Sequence, residues 1–205
     1  MAKKKKQDPV IDIKDPKTRI YLIIGGVVLV LLSIMIGIAA VSSDTGDTDQ
    51  AANQPQTTDS QALENTRQVT INTDMGDIIM EVYPDAMPIT VGNFEKLIQE
   101  GFYDGLTFHR VEDWVVQGGD PNGDGSGGPG WSIELETHPE LNNRRGMVAM
   151  ARSQDPNSAG SQFYILKEDA PGLDGDYAVF GKVIDGMDIV DQIEIGAKMN
   201  SVTID

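Results

Sequence analysis

The densest run of chemically capable side chains is Phe108-His109-Arg110-Val111, followed by Trp114-Val115-Val116-Gln117-Gly118-Gly119-Asp120-Pro121. Arg110 carries a guanidinium that stays charged at any physiological pH and presents its N–H donors in a rigid fork. Such a group serves as a fixed electrophilic donor, or as half of an ordinary surface ion pair when it sits on a strand. Three further runs carry similar material: Gly146-Met147-Val148-Ala149-Met150-Ala151, Ser161-Gln162-Phe163-Tyr164-Ile165, and Leu173-Asp174-Gly175 with Tyr177 to Val183. Taken singly, each reads as a strand with a turn. The sequence has no Cys, which excludes cysteine nucleophiles, thiolate metal sites and lipid-modified cysteine. Its two histidines are His109, inside the first run, and His138, in a polar loop before Pro139. The stretch Gly123 to Gly130 lacks a Gly-Lys-Ser/Thr ending and a strand-to-helix setting, so it is no phosphate loop. Asp120 and Asp124 match no ordered calcium loop, and no metal or other cofactor is expected. A formal net charge of −16 argues against nucleic acid as a partner, because phosphate binding needs clustered Lys and Arg.

The elements that must position these residues lie between Arg67 and Asp205. Val69 and Ile71, then Ile78, Met80 and Val82, alternate around Asp74-Met75-Gly76-Asp77, which predicts two strands joined by a tight turn. Val91, Phe94, Leu97 and Ile98 recur at helical spacing within Thr90 to Glu100, and Gly101 is placed to end that helix. Short strands are expected over Thr107 to Arg110, Val115 to Gln117, Met147 to Ala149, Phe163 to Leu166, Val179 to Val183 and Ser201 to Ile204. A second helix is expected over Met187 to Ile193. With 22 Gly and 10 Pro, this is the pattern of a mainly β, turn-rich domain: a closed antiparallel barrel capped by two helices.

Ahead of the domain the composition changes three times. Residues 1–19 form a basic, polar tail with Lys3 to Lys6, Lys14, Lys17 and Arg19. Residues 20–41 hold no charge and are apolar on every face; at about 1.5 Å per residue they match a hydrocarbon core of roughly 30 Å. A transmembrane signal-anchor helix is expected there, its N-terminus cytoplasmic because the basic residues precede the span and Asp44, Asp47 and Asp49 follow it. Cleavage near Ala39 and Ala40 is the alternative, although a signal peptide's apolar region is usually about 7–15 residues. Residues 42–66 are Ser, Thr, Asp, Gln, Asn and Ala for the most part, the composition of a disordered, solvated linker. The expected location is therefore the cell membrane, single-pass, with the domain of residues 67–205 outside the cytoplasm.

In their order and spacing the four runs resemble the cyclophilin family of peptidyl-prolyl cis-trans isomerases, and the resemblance spans about Gln68 to Asp205. It implies an eight-stranded barrel with two capping helices and an enzyme that accelerates rotation about X–Pro bonds without cofactor or covalent intermediate. Amide rotation faces a barrier of roughly 18–20 kcal/mol because resonance stiffens the C–N bond. In the twisted state the prolyl nitrogen regains a lone pair, and a fixed donor aimed at it favours that state over both planar ones. The resemblance gives this role to Arg110, with Gln117 and Gln162 hydrogen-bonding Arg110 or a substrate carbonyl. It has Trp114, Val115, Tyr164 and Leu173 line an apolar socket for the proline ring, with Tyr177 at one rim. Ala151 and the backbone of Arg152 would grip the residue before proline. Amide rotation needs no proton transfer, so His109 is read as structural or as groove edge. The implied partners are proline-containing peptides and unfolded exported proteins; the sequence leaves oligomeric state open.

Two departures stand out. Between Arg110 and Gln117 the sequence is one residue shorter than the usual family spacing, with Glu112-Asp113 in the turn, which would shift Trp114 relative to Arg110. Gly172 and Tyr177 stand where many animal members carry Trp and His. The shortened turn is the one support for a different reading, a module that holds proline-containing segments without turnover. A third reading, a structural membrane protein recruiting partners through its acidic surface, rests on charge alone.

Overall fold

A computed structural model describes residues 61–205 of the chain. The expected basic tail, the membrane helix and the linker as far as residue 60 lie outside the described residues. No helix among the described residues is long and apolar enough to cross a membrane.

The domain is one antiparallel sheet of eight strands in the order β3-β4-β6-β5-β7-β2-β1-β8. β1 (Arg67–Thr73) and β2 (Gly76–Val82) form the expected hairpin, with Thr73 paired to Gly76 across a two-residue turn. Their alternation sends Val69, Ile71, Ile78, Met80 and Val82 into the core, each fully buried. Helix α1 (Pro88–Gln99) begins two residues before the sequence pattern suggested, because Pro88 fits the first turn, where its missing N–H has no intrahelical partner. β3 (Arg110–Val111), β4 (Val115–Gly118), β5 (Met147–Met150) and β6 (Phe163–Leu166) build the half of the sheet that carries the four motif runs. A single 3-10 turn covers Pro171–Leu173. β7 (Val179–Asp185), helix α2 (Met187–Gln192) and β8 (Met199–Ile204) complete the fold.

The expected closed barrel is corrected to an open one. The end strands β3 and β8 share no ladder. The seam between them is crossed by the bridge Thr107–Lys198 and by single bonds such as Met199 N–H to Leu106 O at 2.9 Å and Phe108 N–H to Ala197 O at 2.9 Å. Extended pairing cannot continue there because Gly105 and Gly196, at φ +81° and +90°, turn the backbone out of strand conformation. The strand expected from Thr107 is reduced to Arg110–Val111, with Thr107 keeping only its single bridge to Lys198.

Inside the curl, Phe94 of α1 meets Tyr103, Phe163 and Phe180 at ring-centroid distances of 5.1, 5.5 and 5.0 Å. The helix is thus fixed to strands from both halves of the sheet. Upstream of β1, Leu63 packs on the core and Asn65 Nδ2 donates to Asp85 at 3.0 Å, so the packed chain extends a few residues before Arg67.

Candidate active site on the open half of the sheet

The register of four neighbouring strands sets the site. Arg110 pairs with Gln117, Gln117 with Tyr164, and Tyr164 with Ala149. Residues directly opposite in an antiparallel ladder point to one face, so a guanidinium, an amide and a phenol form a row.

That row is wired by hydrogen bonds. Arg110 Nη1 donates to Gln117 Oε1 at 3.1 Å, and Gln117 Nε2 donates to Gln162 Oε1 at 2.9 Å. Gln162 Nε2 in turn donates to the carbonyls of Gly125 at 3.0 Å and Gly127 at 2.8 Å. Each amide is held at both ends, which fixes the guanidinium from behind. On its other side Arg110 Nε donates to Glu112 Oε1 at 2.7 Å, and Trp114 Nε1 donates to Glu112 Oε2 at 2.9 Å. Hydrogen bonding from Arg110, then from Trp114, holds the Glu112 carboxyl below the usual carboxylate range. Nη2 of Arg110 has no hydrogen-bond partner among the described residues.

The shortened turn leaves Trp114 beside Arg110. Glu112 N–H bonds Val115 O at 2.9 Å, so Asp113 and Trp114 are the two turn residues, and the indole lies 5.3 Å from the Arg110 guanidinium carbon. Glu112 makes this geometry, although the sequence marked it only as an unusual turn residue. Its signal was a carboxylate between an Arg two positions back and a Trp two positions on.

Seven of the sequence-predicted residues join Arg110 and Gln117 around a cavity of about 210 Å³: Trp114, Val115, Ala151, Arg152, Tyr164, Leu173 and Tyr177. Gln162 lines instead an adjoining cavity of about 620 Å³, bounded by Ser126 to Ser132 and by Ser153, Ser158, Gly160 and Ser161; Gln117, Ala151 and Arg152 border both cavities. His109 borders neither. Both its ring nitrogens are buried without a hydrogen-bond partner among the described residues.

Tyr164 is nearly buried, and its hydroxyl donates to Asn143 Oδ1 at 2.8 Å. Burial, with the neighbouring Tyr177 adding to it, raises the phenol well above its ordinary value, so Tyr164 is neutral at every working pH. Asn143 is fully buried and its N–H donates to Asp174 Oδ1 at 2.6 Å. Sequence reasoning missed Asn143 because nothing periodic surrounds it in a polar loop. Behind the larger cavity, Gly119 (φ +84°) brings the backbone against Ser161 O, where any Cβ would collide. Asp120 is buried, which would raise its carboxyl, but three backbone N–H donors (Asn122, Gly125 and Asp124) hold it below the ordinary range.

A preorganised cationic donor beside a small cavity walled by both apolar and polar side chains, with no nucleophile–base pair lining it among the described residues, suits a reaction that redistributes charge without moving protons. Comparison with known proteins agrees. The family model of the cyclophilin type peptidyl-prolyl cis-trans isomerases matches residues 68–204. The chain belongs to that family. Peptidyl-prolyl cis-trans isomerase B of Bacillus subtilis is 46% identical over 134 residues, 64% of this chain and 93% of its own length. A peptidyl-prolyl cis-trans isomerase of Helicobacter pylori is 42% identical over 144 residues, 68% of this chain and 88% of its own. Among solved structures, a cyclophilin type isomerase of Cryptosporidium parvum, determined in the presence of the dipeptide Ala-Pro, superposes with a TM-score of 0.62 at 34% identity, covering 67% of this chain and 98% of that one. The cyclophilins are an enzyme class, and the eight-stranded sheet with its helices is the cyclophilin fold.

Proposed function

We propose that this cyclophilin isomerises X–Pro bonds in exported proteins at the outer face of the membrane, held there by residues 20–41. The proline ring occupies the cavity between Trp114, Val115, Tyr164 and Leu173. Arg110 then turns its uncommitted Nη2–H toward the prolyl nitrogen as the amide twists, while Glu112 and Gln117 keep the guanidinium from following the substrate. A donor fixed in a half-dry groove need not reorganise during rotation, and that is where such groups contribute most. Gln117 and Gln162 position Arg110 and offer amide groups to substrate carbonyls, and Ala151 with Arg152 supports the residue before proline. His109 stays behind the groove as part of its frame.

The observation that carries the mechanism is the Arg110 guanidinium, tied by Nε and Nη1 and open at Nη2 beside a cavity walled in part by Trp114, Val115 and Leu173. The location rests on the uncharged residues 20–41 between a basic and an acidic flank. Proline isomerisation takes tens of seconds unaided, long enough to delay folding of a chain just exported. Protease added to intact cells making the full chain tests the location: the domain should be cut from outside while the N-terminus stays protected in the membrane fraction. Recovery of the chain in the soluble interior would refute it.

A further inference from the structure

The described residues contain five arginines, and four of them have a carboxylate partner. Arg67 pairs with Glu95, Arg110 with Glu112, Arg144 with Asp174 and Arg145 with Asp191, at 2.7 to 3.1 Å. Arg152 is the exception among the described residues, in a chain with twice as many acidic as basic residues.

Its guanidinium is nevertheless well held, by neutral groups. Nε donates to the Asp176 carbonyl and Nη1 to the Ser153 carbonyl, each at 2.9 Å. The Tyr177 ring lies 4.6 Å from the guanidinium carbon. Two carbonyl dipoles and an aromatic face orient a cation without cancelling its charge. The position matters as much as the charge, because Arg152 stands on the ridge shared by the two cavities. Arg110, the other cation at the smaller cavity, already has Glu112 against it. The larger cavity is lined by no second charged residue; the hydroxyls of Ser126 and Ser153 there donate to Asp124 and Ser158, which leaves that of Ser132 to donate to an anion.

We propose that Arg152 is a specificity residue that favours substrates with an acidic side chain within two residues upstream of the proline. The proposal rests on the proposed function, in which proline fills the smaller cavity and the upstream chain crosses Ala151 and Arg152 toward the larger one. A carboxylate carried over that ridge meets a guanidinium already oriented and without a competing anion. The acidic surface of the domain opposes this only weakly, since charges farther away than about 8 Å are largely screened at physiological salt. A half-exposed contact pair of this kind should change affinity roughly three- to tenfold.

The test uses the full chain and the peptide acetyl-Ala-Glu-Ala-Pro-Phe-amide, with Gln or Lys in place of Glu. Isomerisation is followed by exchange NMR and Kd by shift titration, at about 0.1 M salt and again at about 1 M. Glu is expected to exceed Gln by roughly three- to tenfold in kcat/KM and in affinity, with Lys below Gln, and high salt should shrink the spread. Arg152→Gln should bring the Glu-to-Gln ratio near one, whatever happens to the absolute rate. Arg152→Lys should keep part of it. Lys198→Gln, which removes one positive charge from a separate surface pocket, should leave the ratio intact. A ratio near one in the unaltered protein, or a ratio that survives Arg152→Gln, overturns the proposal. If no peptide is isomerised, the reading of the groove as catalytic fails, and the Kd ratio still decides the role of Arg152.

Discussion

At the scale of single residues, the site depends on how many of the Arg110 nitrogens are already committed. A free arginine side chain would lose much rotamer entropy on meeting its substrate; here Glu112 and Gln117 have fixed it beforehand. Glu112→Gln keeps the shape of this clamp and removes its charge, so kcat/KM should fall about fivefold with KM little changed. The pH dependence follows from the depressed carboxyl of Glu112. A group whose pKa is lowered on folding stabilises the fold above its unfolded value, and that contribution is lost as pH falls through the folded one. The clamp is therefore intact from neutral pH down into the ordinary carboxylate range and opens only below it. A rate profile flat between about pH 5 and 8 is expected for the unaltered enzyme; a fall in kcat/KM within that range would contradict it.

At the scale of elements, the long connection between β4 and β5 is held at several points. Trp131 Nε1 donates to Asn93 Oδ1 of α1 at 2.8 Å, with Lys96 Nζ 3.8 Å from the indole ring. The Glu136 carboxylate accepts from the backbone of Ile89 at 3.2 Å and Thr90 at 2.8 Å, occupying N–H groups that the first turn of α1 leaves open. Asn143 joins the same connection to Tyr164 and to Asp174. Asn143→Ala should cost about 1–3 kcal/mol, because the Tyr164 hydroxyl is left buried without an acceptor. Urea unfolding measures the loss, and Asn143→Ala combined with Tyr164→Phe should recover part of it if the two side chains act through each other. The strands and α1 were legible in the sequence because Val69, Ile71, Phe94 and Leu97 announce their faces by period alone. The tethering of the long connection between β4 and β5 was not. Trp131, Glu136 and Asn143 act through partners 20 or more positions away, and no local pattern marks such contacts. Of the site residues, Arg110, Trp114, Val115, Gln117 and Tyr164 were legible through motif order. His109 shares a motif run with Arg110, yet it borders neither cavity.

At the scale of the whole molecule, an acidic isomerase domain follows the uncharged, apolar residues 20–41 on which the proposed location rests. The resulting prediction concerns processing. If residues 20–41 are retained, the mature protein recovered from membranes should carry its complete N-terminus by mass spectrometry and should leave the membrane only with detergent. A mature chain starting just after Ala40 would show cleavage. The central claim concerns the Arg110 donor, and it is tested most directly by isomerase kinetics on a short X–Pro peptide with the unaltered protein beside Arg110→Ala. The account predicts clear acceleration by the first and a loss of roughly 10²-fold or more in kcat/KM in the second, with unchanged thermal unfolding. Full activity in Arg110→Ala, or a folded wild-type protein that accelerates nothing, would contradict it.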